Sequence, residues 1–276
     1  MQPQQGSLPK IKLPGIRTVL SIASGKGGVG KSTVAANLAI ALASQGASVG
    51  LLDADIYGPS VPIMFGINGQ IDQAVTSLPL VRHGIKLMSM GFLVPPEKAV
   101  IWRGPMVHKA LTQFLTQIPW GDLDYLVIDM PPGTGDAQLT LTQTVPLTAA
   151  IIVTTPQEVS LIDARKGLQM FQEVLVPVLG IIENMSFFIG DDGKRYELFG
   201  SGGGMKLAQE QGVPFLGQIP IDPELALSGD QGLPLAAIKK NSPAAKCLHD
   251  LAERIRSELS QKNTAAKLPT LDITHI

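Results

Sequence analysis

Residues 24–33 read Ser-Gly-Lys-Gly-Gly-Val-Gly-Lys-Ser-Thr, and this stretch decides the fold. From Gly25 to Ser32 it matches the pattern G-x-x-x-x-G-K-[ST], a loop whose backbone N–H groups surround phosphate oxygens. A short β-branched run, residues 18–23, precedes the loop, and an Ala- and Leu-rich stretch, residues 34–43, follows it. These flanks predict a buried strand and a helix, the arrangement that the motif requires.

The motif assigns chemistry to each part of this P-loop. Glycines let the backbone turn its N–H groups inward, and the helix N-terminus adds partial positive charge. Lys31 is expected to reach the β- and γ-phosphates, and the Ser32 hydroxyl to ligate Mg²⁺. The sequence therefore predicts a site for the phosphates of a nucleotide with Mg²⁺, formed by Gly25, Lys26, Gly27, Gly28, Val29, Gly30, Lys31, Ser32 and Thr33.

The loop contains a second lysine, Lys26, directly after its first glycine. One cation at Lys31 suffices for an ordinary P-loop, so a second cation beside the phosphates favours an additional role. The alternative is a solvated lysine on a loop.

Two further strands are predicted to end in aspartate. Residues 49–53 end in Asp53, with Asp55 two positions later, and residues 125–129 end in Asp129. The carboxyl ends of parallel strands are where α/β sheets bind their ligands. Four apolar residues before Asp129 form a Walker B pattern, whose carboxylate holds a Mg²⁺-bound water. The Pro- and Gly-containing segment at 130–136 suits a turn that senses the γ-phosphate.

The alternation of strands and helices along the chain sets the fold class. It predicts an α/β protein, a P-loop NTPase with a mainly parallel sheet and helices on both faces. We expect a flexible lead-in at residues 1–16, a single P-loop ATPase domain at residues 17–262 and a tail at residues 263–276.

The composition excludes several classes of protein. Among 276 residues, 22 are basic and 23 acidic, giving a net charge of −1. This balance predicts neither nucleic acid nor an anionic membrane as a partner. No apolar run approaches the length of about 18 residues needed to span a bilayer, and the N-terminus lacks the features of a signal peptide. The single cysteine, Cys247, rules out internal disulfides and predicts a reducing, cytoplasmic location.

Longer strings of sequence resemble one family, the Mrp or ApbC-type iron–sulfur cluster carriers. This family is related to MinD and ParA, dimeric ATPases that share the second P-loop lysine. The resemblance extends over about residues 19–236. The strings that support it are residues 53–60, 103–106, 124–136, 155–157, 161–165 and 183–186.

The resemblance implies a homodimer that binds and hydrolyses ATP and delivers iron–sulfur clusters to apoprotein clients. It implies that Lys26 reaches the nucleotide of the partner protomer, as an arginine finger does. Asp55 is expected to orient or deprotonate the attacking water, while Asp53 and Asp129 hold the Mg²⁺ shell. Asn184 is expected to contact adenine, although an asparagine after a strand is also typical of a turn.

One departure from the family bears on the function. The resemblance places a Cys-x-x-Cys pair after residues 183–186, but residues 185–193 contain no cysteine. An all-cysteine cluster site needs four thiolates, whereas a dimer of this chain offers only two copies of Cys247. An ATP-dependent scaffold that binds clients without a cluster is therefore one alternative function. A positioning ATPase like MinD or ParA is another.

Overall fold

Strands and helices alternate along the chain, as the sequence predicts. The structure, a computed structural model, describes residues 11–67, 77–93, 104–238 and 242–265. The strands are β1 (Ile16–Ala23), β2 (Val49–Asp53), β3 (Leu80–Arg82), β4 (Ile85–Ser89), β5 (Leu123–Asp129), β6 (Ala149–Thr154), β7 (Val178–Glu183), β8 (Phe188–Ile189), β9 (Arg195–Tyr196) and β10 (Phe215–Gln218). The helices are α1 (Lys31–Ser44), α2 (Val61–Met64), α3 (Gly104–Thr116), α4 (Asp136–Thr144), α5 (Glu158–Glu173), α6 (Gly203–Gln211), α7 (Pro223–Asp230), α8 (Leu235–Ile238) and α9 (Pro243–Ala265).

One sheet organises the described part of the chain. Its eight strands lie in the order β10-β7-β6-β1-β5-β2-β4-β3, and every pairing is parallel except the antiparallel one of β3 with β4. Strands β8 and β9 form a separate antiparallel hairpin. The predicted fold class, a P-loop NTPase with a mainly parallel sheet, is confirmed.

Helices cover both faces of the sheet, which is why its central strands are largely apolar. Along β1, Leu20 and Ile22 pack into a core with α1, α8 and α9. Val19 and Ala23 point to the opposite face, where the core includes side chains of α3, α5 and α6. A parallel strand buried on both faces reads as a continuous hydrophobic run, because alternate residues serve different cores.

The register of the three central strands brings their carboxyl ends together. Asp129 of β5 lies opposite Ile22 of β1 and opposite Asp53 of β2. The loop that follows β1 therefore begins beside both aspartates. The turn after β5 is tied to this loop, because the Gly133 N–H donates a hydrogen bond of 3.0 Å to the Ser24 carbonyl oxygen.

Some elements were not predicted from the sequence. They are the edge strand β3 and the helices α2, α4, α7 and α8. Strand β3 is only 3 residues long, and helices α2 and α8 are each only 4. Segments this short have too few positions for a hydrophobic periodicity to be recognised. Helix α4 is polar and begins directly after a Gly- and Pro-rich turn. Such signals ordinarily indicate a loop.

The predicted domain division stays a prediction. Residues 1–10 and 266–276 lie outside the described residues, as does Arg103 of the string at 103–106. Within the described residues, β1 begins at Ile16, and α9 continues to Ala265, past the predicted end of the domain at residue 262.

We predict that Gly180→Ala destabilises the sheet. A Cβ atom at Gly180 of β7 would lie 2.5 Å from the Pro214 carbonyl oxygen and 2.7 Å from the Leu216 Cγ atom. Relief of this overlap requires backbone movement and should lower the free energy of unfolding by about 1–3 kcal/mol, measured by urea denaturation. Gly167→Ala in α5 is the matched control, since its Cβ meets no atom within 4 Å. It should stabilise the helix by about 0.5–1 kcal/mol, and equal effects of the two substitutions would contradict the steric account.

Candidate functional site

The loop between β1 and α1 presents unpaired backbone donors. Gly28 and Gly30 both have φ of 80°, a left-handed conformation that favours glycine. Within the described part of the chain, none of the N–H groups of residues 26–33 donates to a protein acceptor. Helix α1 has no side-chain cap and no acidic residue in its first turn. Its N-terminus is therefore open to an anion, as phosphate recognition requires.

Two glycines of the loop are needed because neighbouring segments pack against them. A Cβ atom at Gly25 would lie 2.1 Å from the carbonyl carbon of Asp163 in α5, and one at Gly30 would lie 2.2 Å from the Asn184 Nδ2 atom. In contrast, Cβ atoms at Gly27 and Gly28 would meet nothing within 4 Å. One side of the loop is thus buttressed by protein, while the other leaves space in which a ligand can approach the backbone.

The P-loop lysine points into the group of aspartates at the sheet edge. Lys31 Nζ lies 2.6 Å from Asp129 Oδ1, 3.8 Å from Asp55 Oδ2 and 3.2 Å from Ser32 Oγ. Lys31 and Asp55 are each only 6% exposed, and Asp129 is fully buried. The structure therefore brings together the ammonium, the hydroxyl and two carboxylates that the sequence assigns to phosphate and magnesium chemistry.

Asp53 lies at the same edge and has a different hydrogen-bond environment. Its carboxylate accepts from the Ser89 hydroxyl at 2.8 Å and from the Asp55 N–H at 3.1 Å. Val61 N–H donates to it at 3.3 Å. These bonds hold the side chain in place and also fix the start of the segment that contains Asp55.

Burial of these carboxylates alters their acidity. Burial, together with the charge of nearby Asp129, raises the pKa of Asp53 to about 8. Burial also raises the pKa of Asp129, and the Lys31 ammonium opposes this shift. Desolvation disfavours a charged carboxylate, and a nearby cation restores its preference for the charged form.

The described residues fit a magnesium ion bound together with a nucleotide. The Asp129 Oδ2 atom is buried without a hydrogen-bond partner, and the Ser32 hydroxyl lies nearby. No group of three or more His, Cys, Asp or Glu side chains within the described ranges converges on a metal position. Magnesium keeps several waters and is usually bound through one or two carboxylates plus the phosphates, so a full protein cage is not required.

Two other predicted site residues lie on either side of the loop. Lys26 is partly exposed, and its side chain forms no hydrogen bond or ion pair with the described part of the protein. Asn184, by contrast, is buried, and its Nδ2 donates a hydrogen bond of 2.8 Å to the Val29 carbonyl oxygen. The asparagine is thus packed against the P-loop, and the left-handed turn residue is Met185, with φ of 54°. Its adenine contact stays a prediction.

Glu183 lies in the string at residues 183–186, and the sequence patterns predict no role for it. It ends β7 and is fully buried, and its carboxylate accepts three hydrogen bonds. The pattern that marked Asp53 and Asp129, an apolar strand ending in a carboxylate, also occurs here.

Comparisons with known proteins show the family to which this chain belongs. The ParA family profile, described as NUBPL iron-transfer P-loop NTPase, matches residues 15–256. The chain belongs to this family. An iron–sulfur cluster carrier protein from Synechocystis is 55% identical over 267 residues, covering 94% of this chain and 76% of its own length. The iron–sulfur cluster transfer protein NUBPL of Dictyostelium discoideum is 43% identical, covering 98% of this chain and 87% of its own.

Solved structures agree with the assignment. A nucleotide-binding protein from Archaeoglobus fulgidus in complex with ADP is 40% identical, with a TM-score of 0.72 over 85% of this chain and 92% of its own. The cell-division ATPase MinD of Pyrococcus furiosus, 22% identical, has a TM-score of 0.65 over 87% of this chain and 98% of its own, and shows the shared fold. No helix within the described ranges is long and apolar enough to cross a bilayer.

We predict that Asp53→Asn weakens the dependence of stability on pH. Between the unfolded pKa and the folded pKa of about 8, folded Asp53 holds a proton that unfolded Asp53 has lost. Its contribution to the free energy of unfolding therefore falls as pH rises, by about 1.4 kcal/mol per pH unit. Urea unfolding between pH 5.5 and pH 8.5 with EDTA, repeated for the variant, measures the difference in slope.

Asp122→Asn is the control for this measurement, because Asp122 is an exposed carboxyl. It should keep the wild-type slope. A wild-type slope in Asp53→Asn would contradict the assignment of the raised pKa to Asp53.

Proposed function

We propose that the protein is a homodimeric ATPase that uses ATP binding and slow hydrolysis to deliver iron–sulfur clusters to apoproteins. The observation that carries the proposal is the contact of Lys31 with Asp129 and Asp55 beside an open P-loop. The relatives named as cluster carrier or transfer proteins support the choice of cargo and clients. A reducing cytoplasm suits this role.

In this proposal the P-loop backbone and Lys31 bind the phosphates of ATP. The free N–H groups of residues 26–33 and the α1 N-terminus supply donors and partial positive charge where phosphate oxygens carry negative charge. Lys31 Nζ, held at 2.6 Å from Asp129, would exchange that partner for a γ-phosphate oxygen when ATP binds. Bound Mg²⁺ would neutralise charge that develops on the transferring phosphoryl group, with Ser32, Asp53 and Asp129 holding its shell.

Asp55 is the residue we assign to the attacking water. Its Oδ1 atom accepts hydrogen bonds of 3.2 Å from the N–H groups of Tyr57 and Gly58, which fix the plane of the carboxylate. Its Oδ2 atom faces Lys31 at 3.8 Å. Movement of Lys31 towards phosphate frees this oxygen to orient a water or accept its proton.

The partner protomer supplies Lys26 in this proposal. Lys26 lies beside Gly27, where the loop is open, and no described side chain competes for its ammonium. A cation delivered from a second copy stabilises transition-state charge in the way that an arginine finger does. ATP binding and dimerisation are then coupled, because each site is complete only in the dimer.

The cluster ligands are the point at which this chain differs from its family. Cys247, the one cysteine of the chain, is half-buried in α9, and burial raises the pKa of its thiol. The observation that residues 185–193 contain no cysteine favours a second candidate function. In that alternative the ATPase binds apoprotein clients as a scaffold and holds no cluster itself.

We predict that Lys31→Ala weakens ATP binding by roughly 100-fold, about 2.7 kcal/mol, because it removes the cation nearest the phosphates. Titration with a fluorescent ATP analogue in Mg²⁺ measures the dissociation constant. The substitution also leaves Asp129 unpaired, so a circular dichroism melt must first show that the variant is folded. Lys206→Ala, at an exposed position of α6, should bind as the wild type does. Wild-type affinity in Lys31→Ala would contradict the site.

We predict that Lys26→Ala keeps ATP affinity within about twofold and lowers kcat by tenfold or more, the direction expected for a finger residue. The physical reason is that Lys26 acts on the nucleotide of the partner and only in the transition state. Steady-state phosphate release measures kcat. Unchanged turnover in the variant would remove the cross-dimer role.

We predict that anaerobic reconstitution yields iron and sulfide in cluster stoichiometry, with visible absorption, and that Cys247→Ser loses both. The two copies of Cys247 are the only thiolates that a dimer of this chain offers, so the remaining cluster ligands in this proposal are non-cysteine groups. Iron, sulfide and absorption are measured per dimer, with ATPase activity in parallel. A colourless protein that still hydrolyses ATP would contradict cluster binding and support the cluster-free scaffold.

A further inference from the structure

We propose that Glu183 is a positioning residue that couples the P-loop to the β8–β9 hairpin. The inference rests on the proposed function, since it concerns how ATP binding reaches a surface remote from the phosphates. It deepens that function by assigning a role to a carboxylate that neither phosphate nor magnesium chemistry uses.

The Glu183 carboxyl group is buried and held by hydrogen bonds alone. Its Oε1 accepts from Ser186 Oγ at 2.5 Å and from Gln218 Nε2 at 3.0 Å. Its Oε2 accepts from the Gly204 N–H at 2.6 Å, in the first turn of α6. No Lys, Arg or His side chain in the described ranges forms an ion pair with it.

The three donors come from separate segments of the chain. Ser186 belongs to the turn after β7, Gln218 ends β10, and Gly204 lies in the first turn of α6. A carboxylate with this many acceptor sites can join three segments at once. Because a buried carboxylate is costly unless its lone pairs are satisfied, movement of any one segment disturbs the others.

On one side, this junction reaches the P-loop through the next residue. Asn184 donates to the Val29 carbonyl oxygen at 2.8 Å and fills the space above Gly30. Displacement of the loop backbone around Val29 therefore acts directly on Asn184. Met185, in a left-handed conformation with φ of 54°, follows as a strained turn, and strain of this kind persists where the surroundings impose it.

On the other side, the junction reaches the hairpin through Gln218. While Gln218 Nε2 donates to Glu183, its Oε1 accepts from Arg195 Nη2 at 3.3 Å. The Arg195 guanidinium lies over the Phe187 ring, 3.9 Å from its centroid, a cation–π contact. Val29, Asn184, Glu183, Gln218 and Arg195 thus form one continuous series of contacts, which we call the relay.

The relay ends on an exposed surface. Arg195 and Tyr196 form β9, opposite Phe188 and Ile189 of β8. Exposed apolar side chains lie on the two strands and just after β9, at Ile189, Tyr196, Leu198 and Phe199. A change at the nucleotide can thereby alter the surface that a client or a second copy meets. The evidence that such a pathway requires is a measured effect of nucleotide at the P-loop on the hairpin, and loss of that effect when the relay is broken.

Hydrogen exchange of the hairpin, with and without nucleotide, tests the relay. Exchange of residues 186–196 is measured by mass spectrometry in the full chain, with Mg²⁺ alone and with saturating Mg²⁺ and a non-hydrolysable ATP analogue. In the wild type we expect the analogue to change hairpin exchange at least threefold. In Glu183→Gln, and in Gln218→Leu, we expect this change to fall below 1.5-fold while analogue affinity stays within threefold.

Glu173→Gln, at an exposed position of α5, is the matched control and should keep the full response. A full hairpin response in Glu183→Gln and Gln218→Leu would overturn the proposal. The proposal would also be overturned if the two variants lost analogue affinity and had a lower thermal midpoint as well as losing the hairpin response. That combination is the result expected of a purely structural role. A wild type that binds the analogue with no hairpin response would overturn the relay alone, whereas a wild type that does not bind it would overturn the proposed function and the relay with it.

Discussion

The ion pair between Lys31 and Asp129 is the interaction on which the rest of the site depends. It joins the first turn of α1 to the carboxyl end of β5, and both partners are nearly or fully buried. Removal of one partner from a buried ion pair leaves an uncompensated charge and is strongly destabilising, so the pairing ties the position of the P-loop to the sheet. The register of β1, β5 and β2 makes this contact possible, because it places Asp129 next to Ile22 and Asp53.

The shape of the loop is set largely by residues outside it. Asp163 of α5 lies against Gly25, and Asn184 after β7 lies against Gly30. Substitution of either glycine would force the loop away from these segments, while a Cβ atom at Gly27 or Gly28 would meet no atom of the described residues within 4 Å. Rigidity on one side and access on the other are what a preorganised phosphate site needs.

Family membership and site chemistry support different parts of the proposed function. The ParA/NUBPL family profile matches residues 15–256, a range that contains the P-loop and the aspartates, and the fold is that of solved relatives. In contrast, the described ranges contain no group of three or more His, Cys, Asp or Glu side chains that could hold the iron of a cluster. The surface where the resemblance places a cysteine pair is a hairpin without cysteine, held through Gln218 and Glu183. This hairpin is therefore where the chain departs from the pattern that the resemblance implies and where the proposed coupling ends.

The sequence by itself determined the fold class, the P-loop and the aspartates, because each is encoded locally. A glycine pattern between a strand and a helix, and an apolar run ending in aspartate, need no distant residue to be recognised. Helix α4 and the shortest elements escaped prediction because their signals are weak or contradictory over a few residues. Only the tertiary structure decided that Asn184 packs on the P-loop and that Glu183 joins three segments. Those contacts link residues far apart in the chain, such as Asn184 and Val29, and strand register and chain packing, which no local pattern contains, bring them together.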